Sequence, residues 1–246
     1  IVGLVAPHID PWRGAQCYGH AYASLRAALP AEADTFLLLG TSHAYMRRPF
    51  ALCRKAFDTP LGRVDADTDA IDRIASAAKF DPYADQFNHK REHSLEFQAV
   101  FLKHLLGERP FKIIPVLASM GSHQARGTDP ASDPTAETFL DAMRRVVEEG
   151  GGRVVVVAGV DLAHVGPRFG DQVAYDAEAR ARLDETDRAS LELATAGDAR
   201  GFWKHVSSDL ETRRVCGLGP IYSLLRALPT GAKGRVVHYE QTVDAD

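Results

Sequence analysis

Three histidines each follow a short apolar run that predicts a buried strand. His8 comes two residues after the run IVGLVA, His43 three residues after TFLLLG, and His164 five residues after RVVVVAG. The carboxyl ends of the strands in an open parallel sheet share one edge, which is where such folds bind ligands. Imidazoles gathered there could bind a metal ion or transfer protons. Each histidine alone could be a loop or capping residue, but the repeated placement favours a shared site.

A cysteine and an aspartate extend this candidate site. Cys216 precedes the last predicted helix and follows Arg213 and Arg214. At a helix N-terminus beside two cations, we expect a lowered thiol pKa and a thiolate that binds metal or attacks a substrate. The alternative is a small buried thiol. Asp161 stands three residues before His164, where it either orients the imidazole or caps the turn.

The densest polar cluster of the chain, Asn88–Glu96, opens a helix predicted over Glu92–Leu106. We predict that His93 reaches the site from the N-terminus of this helix as a catalytic group. Glu96 is either its buried partner or the acid of a capping box. The spacing differs from the HExxH pattern of zinc proteases. The remaining cysteines and histidines are expected to pack or to lie on the surface: Cys17, Cys53, His20, His104, His123, His205 and His238.

Apolar runs alternate with stretches of helical periodicity along the chain. The pattern predicts an α/β fold, with a central, mostly parallel sheet and helices on both faces, in one domain over residues 1–246. Predicted strands cover Ile1–Ala6, Thr35–Leu39, Phe50–Phe57, Lys112–Leu117, Arg153–Ala158 and Arg235–Gln241. Predicted helices cover Gly14–Leu29, Asp67–Ala78, Glu92–Leu106, a stretch from Pro134 to about residue 150, 171–195, 198–206 and Leu218–Leu228. Pro115 places its strand near an edge or bulge, and residues 120–134 form a loop.

Composition limits the classes of function. The 246 residues are 45% hydrophobic and 25% charged, which is typical of a globular protein. The net charge of -4 gives no general attraction for nucleic acid. No apolar run is long enough to span a membrane. Three scattered cysteines indicate a reducing compartment, so we predict a cytoplasmic protein without nucleic-acid or membrane partners. Nucleotide-binding and serine-hydrolase motifs are absent from the sequence.

At these residues the chain resembles the MEMO family, whose bacterial and archaeal members are called AmmeMemoRadiSam system protein B. The resemblance runs nearly end to end, and the Glu-His-Ser-Leu-Glu block is its most specific part. The motifs that carry it are Ala6-Pro7-His8, Gly40-Thr41-Ser42-His43, Phe57–Gly62, Glu92–Glu96, Asp161–His164 and Cys216-Gly217. Where many members have a small turn containing Gly and Tyr, residues 9–14 here read IDPWRG.

The resemblance implies a fold similar to the catalytic subunit of class III extradiol dioxygenases, which are non-haem iron enzymes. It implies metal ligation by His8, His43 and Cys216, and a pocket lined by His93, Asp161 and His164. It also implies iron or copper, redox chemistry, and partnership with radical SAM and AMMECR1-like proteins. Those dioxygenases use a carboxylate as third ligand. A thiolate favours softer metals such as Cu(I) or zinc and can itself be oxidised, which makes ring cleavage doubtful.

Three hypotheses follow for a small-molecule or peptide substrate. The first is a redox enzyme that uses iron or copper on His8, His43 and Cys216. His93 or His164 would then move protons, and Asp161 would orient one of them. The second is a hydrolase in which zinc on the same ligands activates water. The third is a binding module that captures a peptide or partner, for which exposed aromatics such as Trp12 and Tyr45 would be suited.

Overall fold

The computed structural model describes residues 1–172 and 175–243, without the side chains of residues 124 and 125. Seven strands and nine helices are formed within these ranges. The strands are β1 (Gly3–Ala6), β2 (Thr35–Thr41), β3 (Phe50–Leu52), β4 (Phe57–Thr59), β5 (Gly62–Ala66), β6 (Lys112–Ala118) and β7 (Val154–Gly159). The helices are α1 (Ala15–Ala28), α2 (Thr68–Ala77), α3 (His93–Leu106), α4 (Gly121–Arg126), α5 (Pro134–Gly150), α6 (Ala177–Thr195), α7 (Ala199–Ser207), α8 (Leu210–Arg213) and α9 (Leu218–Ala227).

One mostly parallel sheet organises the chain, which confirms the predicted α/β fold. Its strand order is β1-β7-β2-β6-β5-β4, and β3 pairs with β6 outside this path. The β1·β7, β7·β2, β2·β6 and β6·β5 pairs are parallel, and the two pairs with β3 and β4 are antiparallel. Because β1, β7 and β2 are neighbours, the chain segments that follow them leave the sheet at the same edge.

Helices cover both faces because alternate side chains of the central strands point to opposite sides. Leu37 and Leu39 of β2 pack with α2, α5, α7 and α9 on one face. Phe36 and Leu38 pack with α1 and α3 on the other face. Since all seven residues of β2 are buried, the strand is apolar throughout, as expected for a parallel strand covered on both sides.

The predicted edge position of Pro115 is wrong. Its strand β6 lies inside the sheet between β2 and the β3 and β5 strands. Pro115 pairs with Leu38 of β2. On the other side, β5 pairs with residues 112–113 and β3 with residues 116–118. Proline is tolerated here because β6 changes its hydrogen-bonded neighbour on this side from β5 to β3.

The predicted strand Arg235–Gln241 is also wrong. This C-terminal segment is extended but has no strand partner among the described residues. It is attached to α6 instead: the Gly234 amide donates to the Thr195 carbonyl at 2.7 Å, and the Tyr239 hydroxyl donates to Asp187 at 2.9 Å. The strand-like sequence of this segment therefore reflects an extended chain that packs against a helix, not a strand paired in the sheet.

Other differences lie at element boundaries. The predicted strand Phe50–Phe57 is divided between β3 and β4, and the predicted loop 120–134 contains α4 and a short 3-10 turn, Pro130–Ser132. The helix predicted over 171–195 begins at Ala177, and residues 173 and 174 lie outside the described residues. Within residues 1–172 and 175–243, no helix is both long and apolar enough to cross a membrane.

Candidate metal centre

Three of the four predicted site histidines meet where β1 and β2 end. His8 follows β1 and His43 follows β2, on either side of β7 in the sheet. Their ring centroids are 5.1 Å apart, and the ring of His93 lies 5.2 Å from His8 and 5.0 Å from His43. Three of the predicted side chains, from distant parts of the sequence, therefore form one cluster.

His8 is held in a defined tautomer. Its side chain is buried, and its Nδ1 lies 3.0 Å from the carbonyl oxygen of Gly159. A carbonyl only accepts hydrogen bonds, so Nδ1 carries the proton and Nε2 keeps its lone pair. That Nε2 lies 3.4 Å from Sγ of Cys216. Burial lowers the pKa of His8, and the nearby charge of Asp161 opposes this only in part, so the neutral ring that can bind a metal is favoured.

His43 is oriented by Glu92. Its Nδ1 lies 3.1 and 3.0 Å from the two carboxylate oxygens, and its backbone N–H donates to the same carboxylate at 2.8 Å. The hydrogen bond from the ring raises the pKa of His43 above its ordinary value, against the effect of burial. Because Nδ1 donates to Glu92, Nε2 is the ring atom left for another partner. A carboxylate that holds a histidine in this way is a common support of metal ligands.

Glu92 itself is buried beside this ring. Burial opposes its ionisation, yet hydrogen bonds from the His43 ring and from the backbone N–H groups of His43 and Ser94 outweigh that effect. They hold the pKa of Glu92 at about 2. The carboxylate is the N-cap of α3, accepting from the Ser94 amide at 3.0 Å. The same group therefore begins the helix and positions the imidazole.

Asp161 fixes the loop that carries His8. Its Oδ1 accepts hydrogen bonds from the backbone N–H groups of His8 and Ile9, at 3.0 and 3.3 Å. Its Oδ2 lies 3.6 Å from Nε2 of His8. The sequence predicted that Asp161 orients a histidine or caps the turn after its own strand. In the structure its side chain contacts His8 and Ile9 rather than His164, so it lies beside the cluster.

Cys216 enters the cluster from the segment before α9. Its Sγ is 3.4 Å from His8 Nε2 and 3.4 Å from the carbonyl oxygen of Asp161. Its own carbonyl accepts a hydrogen bond from the Thr41 hydroxyl at 2.8 Å, which ties the segment to the end of β2. The Gly217 amide donates to the Asp161 carbonyl at 3.0 Å. The segment is therefore attached both to the end of β2 and to the loop that follows β7.

The predicted lowering of the Cys216 pKa is wrong: burial raises it to about 12. The two arginines that motivated the prediction have other partners. Arg213 forms ion pairs with Asp187 and Asp209, and Arg214 pairs with Asp171. Without a cation the group is a neutral thiol, and a bound metal ion would have to displace its proton.

His93 and His164 differ in their surroundings. His93 begins α3, stacks on His43 with a 16° interplanar angle, and is about half exposed, which leaves it accessible to solvent. His164 has its Nδ1 at 3.1 Å from the Leu162 carbonyl and 3.2 Å from that of Arg214. Its ring contacts Phe169 edge-on at 5.0 Å. Among the described residues, its imidazole contacts these backbone groups and Phe169 rather than the histidine cluster.

The helix α3 can approach the sheet because two strand residues lack side chains. A Cβ at Gly159 would collide with the Ser94 carbonyl oxygen, and one at Gly40 would lie 2.7 Å from Leu95. The close approach lets Gln98 donate from Nε2 to the Pro7 carbonyl at 2.8 Å. The first turns of α3 therefore support the loop before His8 as well as His43.

Sequence reasoning missed Glu92 and Gln98 as positioning groups. It considered Glu96 as the buried partner of His93, but Glu92 provides the carboxylate, 3.5 Å from Nδ1 of His93. The available signal was the acidic residue at the N-cap of an otherwise apolar helix. Its contacts depend on the neighbouring strand, which the helix sequence alone does not reveal.

The ligand atoms of His8, His43 and Cys216 all lie within 4.8 Å of one another, so these side chains could hold one metal ion. His43, Glu92 and His93 form a second overlapping group of the same kind. Two imidazoles, and a thiol that becomes a thiolate on binding, provide a nitrogen and sulfur donor set. Such a set suits copper, iron and zinc better than magnesium or calcium.

Comparisons with known proteins find a matching family model and relatives that share one family name. A family model described as "Memo-like protein" matches residues 1–246. A MEMO1 family protein of Aquifex aeolicus is 31% identical over 240 residues, covering 97% of this chain and 58% of the relative. A MEMO1 family protein of Methanosarcina mazei is 28% identical over 246 residues, covering 99% and 80%. The Thermus thermophilus relative TTHA0924, also a MEMO1 family protein, is 28% identical over 245 residues, covering 98% and 67%.

Proposed function

The chain belongs to the Memo-like protein family, and we propose that it is a redox enzyme dependent on iron or copper. In this proposal His8, His43 and Cys216 hold the metal ion. The observation that carries it is the 3.4 Å approach of His8 Nε2 to Cys216 Sγ, with the opposite ring nitrogen bound to the Gly159 carbonyl. Two atoms suited to bind metal thus face each other in a buried place.

The donor set supports a redox-active ion. Two histidines and one cysteine are the equatorial ligands of copper electron-transfer sites, and thiolates also bind Cu(I) and iron. The ion, when bound, would supply the one-electron steps of the reaction. The family resemblance implies that Cys216 takes the place of the carboxylate ligand of class III extradiol dioxygenases, so we propose an oxidation other than ring cleavage.

The remaining side chains have roles in proton movement and positioning. His93 stacks on His43 and is half exposed, so it can exchange a proton between the site and solvent. Asp161 holds the His8 loop by two backbone hydrogen bonds. The Nδ1 of His164 lies 3.2 Å from the Arg214 carbonyl, two residues before Cys216, and we assign His164 a positioning or proton-relay role.

The substrate we propose is a small molecule or a peptide. Radical SAM and AMMECR1-like proteins are proposed partners, and three free cysteines suit the reducing conditions of a cytoplasm. Trp12 and Tyr45 are 76% and 85% exposed, which favours capture of a peptide or partner as a second candidate function.

Anaerobic loading of metal-free protein with Cu(I), Fe(II) or Zn(II), followed by exposure to oxygen and ascorbate, tests the proposal. We expect oxygen consumption with copper or iron, none with zinc, and its loss in Cys216→Ser. The exposed His104, at the far end of α3, provides a control: His104→Ala should behave as wild type. Binding of zinc with hydrolysis of model esters, and no oxygen consumption with any metal, would favour a hydrolase. No binding of any of the three metals would favour a binding module.

A further inference from the structure

A second group of metal-binding side chains lies where the C-terminal segment crosses α1. Cys17 of α1 faces His238 and Glu240 of the extended segment, and their ligand atoms lie within 4.8 Å of one another. None of the three belongs to the cluster around His8. We infer that Cys17, His238 and Glu240 form a second metal site, for Zn²⁺, which attaches the C-terminal segment to α1.

The distances suit a tetrahedral ion. Nε2 of His238 is 3.3 Å from Oε2 of Glu240, and Sγ of Cys17 is 4.0 Å from the same oxygen. Zinc binds nitrogen and oxygen at about 2.0–2.1 Å, so tetrahedral ligands of these kinds lie about 3.3 Å apart. With a Zn–S distance of about 2.3 Å, the expected sulfur-to-oxygen separation is about 3.6 Å. The three ligand atoms lie within 4.8 Å of one another, so small side-chain rotations would bring them to such an ion.

The backbone of the segment explains why two ligands face the same helix. Successive side chains of an extended chain point in opposite directions. Tyr239 points to α6, where its hydroxyl donates to Asp187 at 2.9 Å and the Arg188 guanidinium lies over its ring. His238 and Glu240, on either side of it, consequently both point to α1. The tyrosine contact thus fixes the register that brings the two ligands to Cys17.

A further histidine supports the imidazole. His20 lies one turn after Cys17 on α1, and its ring stacks on that of His238 at 4.6 Å with a 20° interplanar angle. The stack limits rotation of the His238 ring. The side chains of His238 and Glu240 are 31% and 33% exposed, so an ion can enter from solvent and keep a water as fourth ligand.

As a free thiol, Cys17 faces the Glu240 carboxylate as a donor, with Sγ 4.0 Å from Oε2. A bound Zn²⁺ would take the place of the thiol proton, which would leave to solvent, and would join the thiolate and the carboxylate at one ion. The ordinary packing role that the sequence predicts for Cys17 does not account for the converging histidine and glutamate.

The site would connect three parts of the fold. α1 also carries Tyr18, whose hydroxyl donates to the Ile9 carbonyl in the loop that follows His8. The segment on the other side is attached to α6 through Tyr239. Zinc at Cys17 would therefore act as a structural clamp beside the first metal centre, and its role would be stability of the C-terminal segment.

Zinc stoichiometry tests the inference separately from the first site. Protein stripped with a chelator is dialysed against buffered Zn²⁺, and bound zinc is measured by elemental analysis in wild type, Cys17→Ser, His238→Ala, Cys216→Ser and the control His104→Ala. We expect Cys17→Ser and His238→Ala each to lose about one equivalent relative to wild type. Cys216→Ser should keep the Cys17-dependent equivalent, and His104→Ala should match wild type.

Cobalt provides a second readout of the same ligand. In the Cys216→Ser background, a thiolate-to-cobalt charge-transfer band should persist, and it should disappear when Cys17→Ser is added. If Cys17→Ser does not fold, His238→Ala decides the question, because its residue lies in an extended surface segment. Equal zinc contents in wild type, Cys17→Ser and His238→Ala would overturn the second site, whatever Cys216→Ser shows about the first.

Discussion

Glu92 holds His43 by two separate groups, accepting hydrogen bonds from the ring Nδ1 at 3.0 Å and from the backbone N–H at 2.8 Å. The same carboxylate caps α3 through the Ser94 amide. One buried acid therefore couples the start of a helix to the loop after β2. The orientation of His43, and the lone pair it leaves on Nε2, depend on that coupling.

Removal of the Glu92 charge should destabilise the fold in a pH-dependent way. The pKa of Glu92 in the folded protein is about 2, whereas a glutamate in an unfolded chain has a pKa of about 4.3. The unfolded chain therefore takes up the proton first, so this stabilisation is present above about pH 4 and is lost as the pH falls towards about 2. Glu92→Gln should lower the free energy of unfolding by about 2 kcal/mol at pH 6 and by less at pH 3.

Urea unfolding at both pH values measures that difference. The pKa of His43 is raised instead of lowered, so its contribution to stability depends on pH in the opposite way. That contribution is present below the pKa of an unfolded histidine and is lost as the pH rises through the folded-state pKa. Glu96→Gln is a matched control, because burial raises the pKa of Glu96 instead of lowering it, so loss of its charge should not destabilise the fold. An equal loss for Glu92→Gln at pH 3 and pH 6 would contradict the assigned pair.

Close contact between α3 and β7 predicts that Gly159 tolerates no side chain. A Cβ there would collide with the Ser94 carbonyl and lie 2.7 Å from Nε2 of Gln98. Gly159→Ala should cost about 1–3 kcal/mol of stability, as other overpacked sites do. Gly19→Ala is the control: a Cβ at Gly19 meets nothing within 4 Å, and alanine in a helix should be neutral or stabilising. Thermal unfolding of both variants measures the difference, and equal midpoints would be inconsistent with this packing.

Loss of Asp161 should loosen the loop that carries His8. Asp161→Ala removes the acceptor of two backbone N–H groups, whereas Asp161→Asn keeps an oxygen in that position. Loss of a group that positions a metal ligand lowers affinity by about 10–100-fold. We expect that loss in Asp161→Ala and a smaller one in Asp161→Asn, measured by competition with a chromophoric chelator. Wild-type affinity in Asp161→Ala would show that the loop needs no such support.

The buried ion pair of Arg213 and Asp187 should matter far more than a surface pair of the same kind. Both side chains are 3% exposed and lie 2.8 Å apart. Asp187→Ala leaves the guanidinium with one acid fewer and should cost about 3–5 kcal/mol. Asp184→Ala breaks the exposed pair with Arg188 in the same helix and should cost at most about 1 kcal/mol. Similar losses in chemical unfolding would mean that the buried pair contributes no more than the exposed one.

The sequence allowed a good prediction of the fold and of the residues near the cluster, because apolar runs and strand ends are local features. His8 and His43 could be placed at one edge, although their contact depends on β7 lying between β1 and β2, an order that the sequence does not show. Cys216 could be placed near a helix start, but its pKa was predicted in the wrong direction. The ion pairs that occupy Arg213 and Arg214 are formed with distant residues, and no local pattern reveals them.

We propose that one iron or copper ion is bound by His8, His43 and Cys216. Elemental analysis after anaerobic equilibration with Fe(II) or Cu(I) tests it directly, on wild type beside Cys216→Ser, with His104→Ala as control. We predict about one equivalent of iron or copper in wild type and His104→Ala, and its loss in Cys216→Ser. A metal content in Cys216→Ser equal to that of wild type would contradict the assignment.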